Sequence, residues 1–306
     1  MSWQLYRWVW QLCSPLHIGT TPAGSLNRTR LYIPARNMWA ALTAEIARRQ
    51  SASSFPNYQS VGQVLQRHVR FSYLFPAEQV NGRWCTWLPR YQTDKDASGL
   101  FWHREDGEAD PVLDRRFRQR LLDTRPGTAL VPGSNTAEEA TLREFEYVMP
   151  HWRPENGYSA SQPMAFVGYC LLKNTLPSNL HSILTEIREI LIGGESRYGF
   201  GHLRLLPLSD EDPWAPAGDI FGATVTLEGA NPLLDTPQYL LAHGSLPSSQ
   251  ARGNWEILMQ WDWQRLQGEN TPLWQPGTRV QSGNNNRVNL MITPNGLWQN
   301  TQQTSS

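Results

Sequence analysis

The stretch that decides the reading is Gly193-Gly194-Glu195-Ser196-Arg197-Tyr198-Gly199-Phe200-Gly201-His202. It places four glycines within nine positions, 193–201. In an ordinary connection that density would cost conformational entropy for no return. Glycine is needed where the backbone turns sharply or where another backbone comes close. Successive exposed N–H groups in such a loop form a concave anion site. Arg197 at its middle adds a forked donor that matches phosphate, and Tyr198 adds a face on which a base can stack. No Gly-Lys-Ser/Thr follows, so this is not a Walker-type loop, and a helix-like pattern precedes it while a strand-like one follows, the reverse of a dinucleotide fingerprint. A tight turn with no ligand is the structural alternative.

Working outward, Leu180, Ile183, Leu184, Ile187, Ile190 and Leu191 fall on one helical stripe, with Glu186, Arg188 and Glu189 off it. That spacing predicts a helix over 179–192, stopped by Gly193-Gly194. Residues 164–173 (MAFVGYCLLK) before it and 200–208 (FGHLRLLPL) after it read as strands. The start of the chain repeats the arrangement. Residues 3–13 (WQLYRWVWQLC) read as a buried strand that stops at Ser14-Pro15, and residues 19–29 as a loop. After Ile33-Pro34, Met38, Trp39, Leu42 and Ile46 recur at helical spacing and predict a helix over 36–49.

Between these halves, residues 71–75 and 84–88 look like short strands, and the chain becomes charged over 94–125. An acidic run, Glu105-Asp106-Gly107-Glu108-Ala109-Asp110, precedes a basic helix candidate, Arg115-Arg116-Phe117-Arg118-Gln119-Arg120. Such a run is usually a solvated helix face; an arm reaching a nucleic acid or a neighbouring subunit is the functional alternative. Residues 207–216 (PLSDEDPWAP) form a Pro- and acid-rich linker, strands are expected over 223–227, 255–263 and 288–293, and residues 300–306 form a frayed tail. The expected class is α+β, built of ferredoxin-like units. It divides into residues 1–208, with an insertion at about 51–160, and a β-rich part over 209–306.

The 306 residues are 40% hydrophobic and 18% charged, enough to bury the core of one large domain or two modest ones. No run approaches the roughly 20 apolar residues of a membrane helix, and Met1-Ser2-Trp3-Gln4-Leu5-Tyr6-Arg7 lacks a basic n-region followed by an apolar stretch. A soluble cytoplasmic protein is expected. Cys13, Cys85 and Cys170 are odd in number and form no CxxC pair, so neither a disulfide framework nor a cysteine zinc site is expected, and no cofactor. The net charge of +0 conceals a bias: Lys95 and Lys173 are the only lysines among 27 basic residues. Residues 1–50 carry six arginines against Glu45 alone, whereas residues 205–306 carry four against nine acids. One end is suited to an anionic polymer and the other to solvent or a basic partner.

With these residues in hand, the sequence resembles the RAMP proteins of CRISPR effector complexes. Ile192 to Gly201 is similar to the glycine-rich loop between their last helix and last strand. Ser14-Pro15-Leu16-His17-Ile18-Gly19 is similar to the end of their first strand. Tyr32-Ile33-Pro34-Ala35 followed by Met38-Trp39-Ala40-Ala41-Leu42 is similar to their helix entry, with Ala35 and Ala40 where glycine is commoner. The resemblance implies a ferredoxin-like, RRM-type RAMP fold with a glycine-rich loop, an inserted arm and a β-rich C-terminal part.

RAMP backbone subunits of type III complexes cut target RNA with an aspartate after the first strand. Residues 14–40 hold no Asp or Glu, so no carboxylate there can hold a metal or take a proton, and that slicing role is not expected. RAMP endoribonucleases rely on a histidine, for which His17 is the weak candidate. His68, His103, His151, His181, His202 and His243 show no paired spacing. Leu273-Trp274-Gln275-Pro276-Gly277-Thr278 is similar to a turn in subunits that cap the 5′ handle of the guide RNA. The resemblance therefore implies a non-catalytic RNA-binding subunit of a type III complex, with III-D one candidate subtype. Its partners would be crRNA, target RNA, other RAMP backbone subunits and the large polymerase-like subunit. The RNA-binding residues it implies are Gly193, Gly194, Ser196, Arg197, Tyr198, Gly199, Gly201 and His202, with Arg28, Arg30 and Arg36 beside the loop. An endoribonuclease processing precursor crRNA and a protein-only scaffold are the alternatives.

Overall fold

Trp3, Leu5, Trp8, Val9, Trp10 and Leu12 are all buried along β1 (Trp3–Leu12), the strand around which the molecule is built. The computed structural model describes residues 1–51, 55–93, 98–154, 161–208, 212–262, 265–268, 271–281 and 288–301. After β1 come β2 (Leu26–Asn27), α1 (Ala35–Gln50), α2 (Tyr58–His68), β3 (Val69–Phe71), β4 (Phe75–Val80), β5 (Arg83–Thr93) and β6 (Ser98–Arg104). Then follow β7 (Val112–Leu113), α3 (Asp114–Leu121), β8 (Leu122–Gly127), β9 (Arg143–Val148), β10 (His151–Trp152) and β11 (Gln162–Pro163). β12 (Ala165–Lys173), α4 (Ser178–Glu186), β13 (Glu189–Leu191) and β14 (His202–Leu205) complete the first two thirds.

β1 pairs antiparallel with β12 from Trp3↔Lys173 to Gln11↔Ala165, and on its other side with β14 through Trp10↔Leu205 and Leu12↔Leu203. The far edge of β12 takes β4 and, beyond a break at residues 72–74, β3. The strands β1, β3/β4, β12 and β14, with α1 after the first and α4 after the third, make a β-α-β-β-α-β succession. Their lateral order is fourth-first-third-second, every neighbour antiparallel. α1 lies against α2, α4 and β3. β12 is buried at every position except Lys173, so it reads as a continuous apolar run rather than an alternating one.

Several elements differ from expectation. The helix expected over 179–192 stops at Glu186, and residues 189–191 form β13 against β14, with Ile190 buried and Leu191 exposed. The apolar residues from Ile187 onward fit both periods, and pairing with β14 decides for the strand. The glycine stretch therefore closes a β-hairpin instead of linking helix to strand. α2 was not legible; Val61, Gly62 and Leu65 seat its one buried face, and the Asn57 side chain accepts the Ser60 N–H as a cap.

The 51–160 insertion is not a detached arm. β5, β6 and β7 extend the main sheet, and Phe117 of α3 stacks on Trp102 at 4.5 Å with Trp87 and Trp152 around it. Of the basic run, Arg115 and Arg116 are exposed, whereas Arg118 pairs with Asp114 and Arg120 reaches Glu78 and lies 4.8 Å from the Trp152 ring. Of the linker, strand and tail expected at 207–216, 255–263 and 300–306, residues 209–211, 263 and 302–306 lie outside the described residues.

The C-terminal third forms a second sheet of short strands, ordered Asp219–Ile220, Ala223–Thr226, Leu233–Asp235, Asn289–Ile292, Trp298–Asn300, Gly244–Ser245, Leu273–Trp274 and Trp255–Glu256. The strand expected over 255–263 is broken after Glu256 and resumes at Met259. One apolar cluster runs from Trp3 to Trp298, so the core is continuous across residues 208 and 209. Polar groups join the same seam: the Tyr73 hydroxyl meets His243 Nδ1 at 2.8 Å, and Arg30 is ion-paired with Glu256. Among the described residues, no helix is long and apolar enough to cross a membrane.

Candidate functional site

The hairpin loop between β13 and β14 lies across the end of β1. Gly194 N–H donates to His17 O (2.9 Å), Gly201 N–H to Pro15 O (2.7 Å), and His202 N–H to Ser14 Oγ (3.0 Å). Two glycines are required by this docking. Gly193 sits at φ +85°, where a Cβ would lie 2.5 Å from His17 O. Gly201 sits at φ +82°, where one would lie 1.9 Å from Ile192 O. Backbone occupies the space a side chain would need, and the left-handed conformation disfavours any other residue.

The close approach has a cost for the anion-nest reading of this loop. The N–H groups of Gly194, Tyr198, Gly199, Phe200 and Gly201 are all donated within the fold, so they do not form an open N–H cradle. What the loop presents instead is its tip. Glu195 turns at φ +57° into a short 3-10 turn, Ser196–Tyr198, which leaves Ser196, Arg197 and Gly199 exposed and Tyr198 59% exposed.

β8 and β9 stand beside the tip, joined to the end of β1 through the Leu16↔Val148 bridge. Along β9, Arg143, Phe145 and Tyr147 share one face, and Arg125 of β8 is the cross-strand partner of Phe145. The Arg125 guanidinium lies 6.0 Å from the centre of the Tyr198 ring, and that of Arg143 lies 5.4 Å from Phe145. Phe145 meets His17 edge-on at 5.7 Å, and Tyr147 meets Phe200 edge-on at 5.4 Å. Arg28 is exposed just after β2, whose Asn27 pairs with Phe145. Among the described residues, Arg28, Arg125, Arg143 and Arg197 form no ion pair. The result is a surface of unneutralised guanidinium groups interleaved with aromatic rings, which can grip phosphates and stack unpaired bases.

Other residues singled out in the sequence lie differently. Arg30 is turned inward. Its guanidinium forks onto the Glu256 carboxylate, with Nη1 to Oε2 at 2.9 Å, and also reaches the Tyr32 hydroxyl, so it is not a surface phosphate ligand. Arg36 is half-buried in the first turn of α1, 5.6 Å from the Trp39 ring. His202 is on β14, its Nε2 3.3 Å from Glu189, which also binds Arg204 at 3.1 Å. The hydrogen bond from Arg204 lowers the pKa of this carboxyl. His17 is 8% exposed, with Nδ1 2.7 Å from Glu146 O. A carbonyl only accepts, so Nδ1 carries the proton and Nε2 is the basic nitrogen.

Arg125, Arg143, Phe145 and Tyr147 escaped the sequence reading. The alternation Arg143-x-Phe145-x-Tyr147 was the available signal, a strand period in a region whose partners are not adjacent in sequence.

No family model matches the chain, and no curated protein matches it. Among solved structures, it is similar to a chain from the cryo-EM structure of the Type III-B Cmr-beta bound to cognate target RNA and AMPPnP, state 1. The TM-score is 0.53 at 13% identity, over 90% of this chain and 85% of that one. A chain of the Type III-B Cmr-beta bound to cognate target RNA and one of its apo state match at a TM-score of 0.40 and 12% identity each. They cover 66% and 68% of this chain and 96% and 98% of their own. The first likeness shows a shared α+β fold.

Proposed function

We propose that the chain is a non-catalytic RNA-binding subunit of a type III CRISPR ribonucleoprotein, of RAMP type, holding the guide RNA near its 5′ handle beside neighbouring subunits. The observation that carries this reading is the set of four arginines, Arg28, Arg125, Arg143 and Arg197, which form no ion pair among the described residues, around Tyr198 and Phe145 at the glycine-loop tip. Two of these exposed arginines lean on aromatic rings, but among the described residues none meets a carboxylate, and a polyanion neutralises them. The strand order fourth-first-third-second is the one a ferredoxin-like, RRM-type fold would have, and it supports the RAMP assignment. So does the fold shared with a chain of a Type III-B complex bound to target RNA.

The test is a salt titration of guide-RNA binding by the chain carrying Arg125→Ala, Arg143→Ala and Arg197→Ala together. At about 0.7 in the log–log slope per phosphate contact on a single strand, the slope should become shallower by about 2. An unchanged slope and affinity refute the interface. Sequencing the RNA that co-purifies with the chain and its neighbours tests the handle assignment: a common repeat-derived 5′ end supports it, and random ends refute it.

One observation favours a second reading, a RAMP endoribonuclease acting through His17: Glu146 O fixes the tautomer that leaves Nε2 able to accept a proton. Against it stand the burial of the ring and its edge contact with Phe145.

A further inference from the structure

The C-terminal third is acidic overall, yet one face of it gathers arginines. Arg252 and Arg279 are direct cross-strand partners in a two-stranded ladder, and both are exposed. Tyr239 bridges to Arg279 on the other side, and the Arg90 guanidinium of β5 lies 5.4 Å from the Tyr239 ring. The side chains of directly paired residues project from the same face, so Arg252, Arg279, Tyr239 and Arg90 form one row. Like charges directly opposite each other in a ladder are destabilising. Among the described residues no carboxylate pairs with any of the three arginines. Glu256, the nearest acid in sequence to Arg252, is turned inward onto Arg30.

Beside the row runs an open groove of about 490 Å³ lined by Tyr91, Arg252, Asn254, Trp255 and Trp274. Trp274 is buried and fixed by its Nε1 bond to Leu246 O (2.9 Å). Trp255 stands edge-on to it at 4.9 Å and is 56% exposed. A large ring held by a buried neighbour and more than half exposed, next to guanidinium groups with no carboxylate partner among the described residues, is the composition of a single-strand platform: phosphates on the arginines, a base on the ring.

We propose that this face, Arg90, Arg252 and Arg279 with the Trp255 groove, binds single-stranded RNA as a second contact surface separate from the glycine-loop tip. The row supplies three phosphate ligands, and the groove takes an unstacked base. Because cation and ring act differently, their removal has different signatures.

The experiment uses the full chain and a fluorescently labelled short oligouridylate, followed by anisotropy across a salt series. Arg252→Gln with Arg279→Gln should flatten the log–log salt slope by about 1.4, while Arg252→Lys with Arg279→Lys should keep it. Trp255→Ala should weaken binding roughly 5- to 150-fold at unchanged slope, the range of stacking one base. The positions are exposed, and an unchanged urea midpoint confirms that each variant folds. Unchanged affinity and slope in the glutamine variant overturn the proposal. So does polyglutamate binding more tightly than the RNA and being lost in that variant, which assigns the face to an acidic protein. The glycine-tip triple variant is measured alongside. Loss of binding there with none here overturns the second surface alone, and the converse overturns the tip.

Discussion

Replacing Glu256 by Gln removes the charge that holds Arg30, and its cost can be worked out from the site. The carboxylate accepts both Arg30 Nη groups, accepts Gln275 Nε2 at 2.7 Å, and faces His243 Nε2 at 3.5 Å. The Arg30 and Glu256 side chains are 12% and 15% exposed, so solvent screens the pair little. Burial alone would raise the carboxyl pKa. The facing His243 Nε2, with the hydrogen bonds and charge of Arg30, brings it down to about 2 from an ordinary 4.5. At about 1.4 kcal/mol per pH unit, that gap corresponds to about 3 kcal/mol, in line with the roughly 3–5 kcal/mol lost when a buried pair keeps only one partner. A folded-state pKa below the unfolded one gives stability that is complete above pH 4.5 and is lost as pH falls from 4.5 towards 2. Glu256→Gln should therefore lower the unfolding free energy at pH 7 by about 3 kcal/mol, and the melting temperature by roughly 5 °C for a chain of this length. The gap between the two proteins should close as pH falls below 4.5, because a protonated glutamate and a glutamine are nearly isosteric. Urea unfolding of both proteins from pH 7 to pH 3 checks this. A gap below about 1 kcal/mol at pH 7, or one that does not narrow in acid, refutes the reasoning.

Two further predictions concern the glycine hairpin. Gly201→Ala must place a Cβ 1.9 Å from Ile192 O at a φ of +82°. It should cost at least about 2 kcal/mol, while Ser196→Ala at the exposed tip costs under about 0.5 kcal/mol; equal urea midpoints for the two would contradict the docking geometry. His17→Ala removes the bond to Glu146 O and the edge contact with Phe145 and should cost about 2 kcal/mol. Neither it nor the parent should cleave repeat RNA without metal. Cleavage by the parent that the variant loses would favour the endoribonuclease.

Sequence carried the local half of the molecule. The Trp-rich first strand, the helix after Ile33-Pro34, the 164–173 strand and the glycine density at 193–201 were legible because each is set by its own apolar period or its own backbone demand. Residues 187–192 were misread because their spacing suits a helix and a strand equally, and only the partner at 202–205 settles it. Partnering also hid the interface. Arg125 meets Phe145 across a hairpin, and from there Arg125 meets Tyr198 and Phe145 meets His17, each from a distant part of the chain. Arg30 failed as a surface ligand for the same reason: its acid lies 226 positions away. Charge alone gives no sign of which arginines are already neutralised.

The pairing of β1 also sets a timetable. Its partners are residues 165–173, 202–205 and 215–216, and the Trp3 N–H closes on Leu227 O while Gly229 N–H closes on Met1 O. During synthesis β1 emerges ahead of every one of them. At roughly 5–20 residues per second, a strand bearing Trp3, Trp8 and Trp10 waits on the order of 8–30 s for its first neighbour. Through that interval three tryptophans destined for the core stay open to other nascent chains. A ribosome stalled before residue 205 would release a β1 with a single partner, and β1 is where interrupted translation of this chain would first become aggregation.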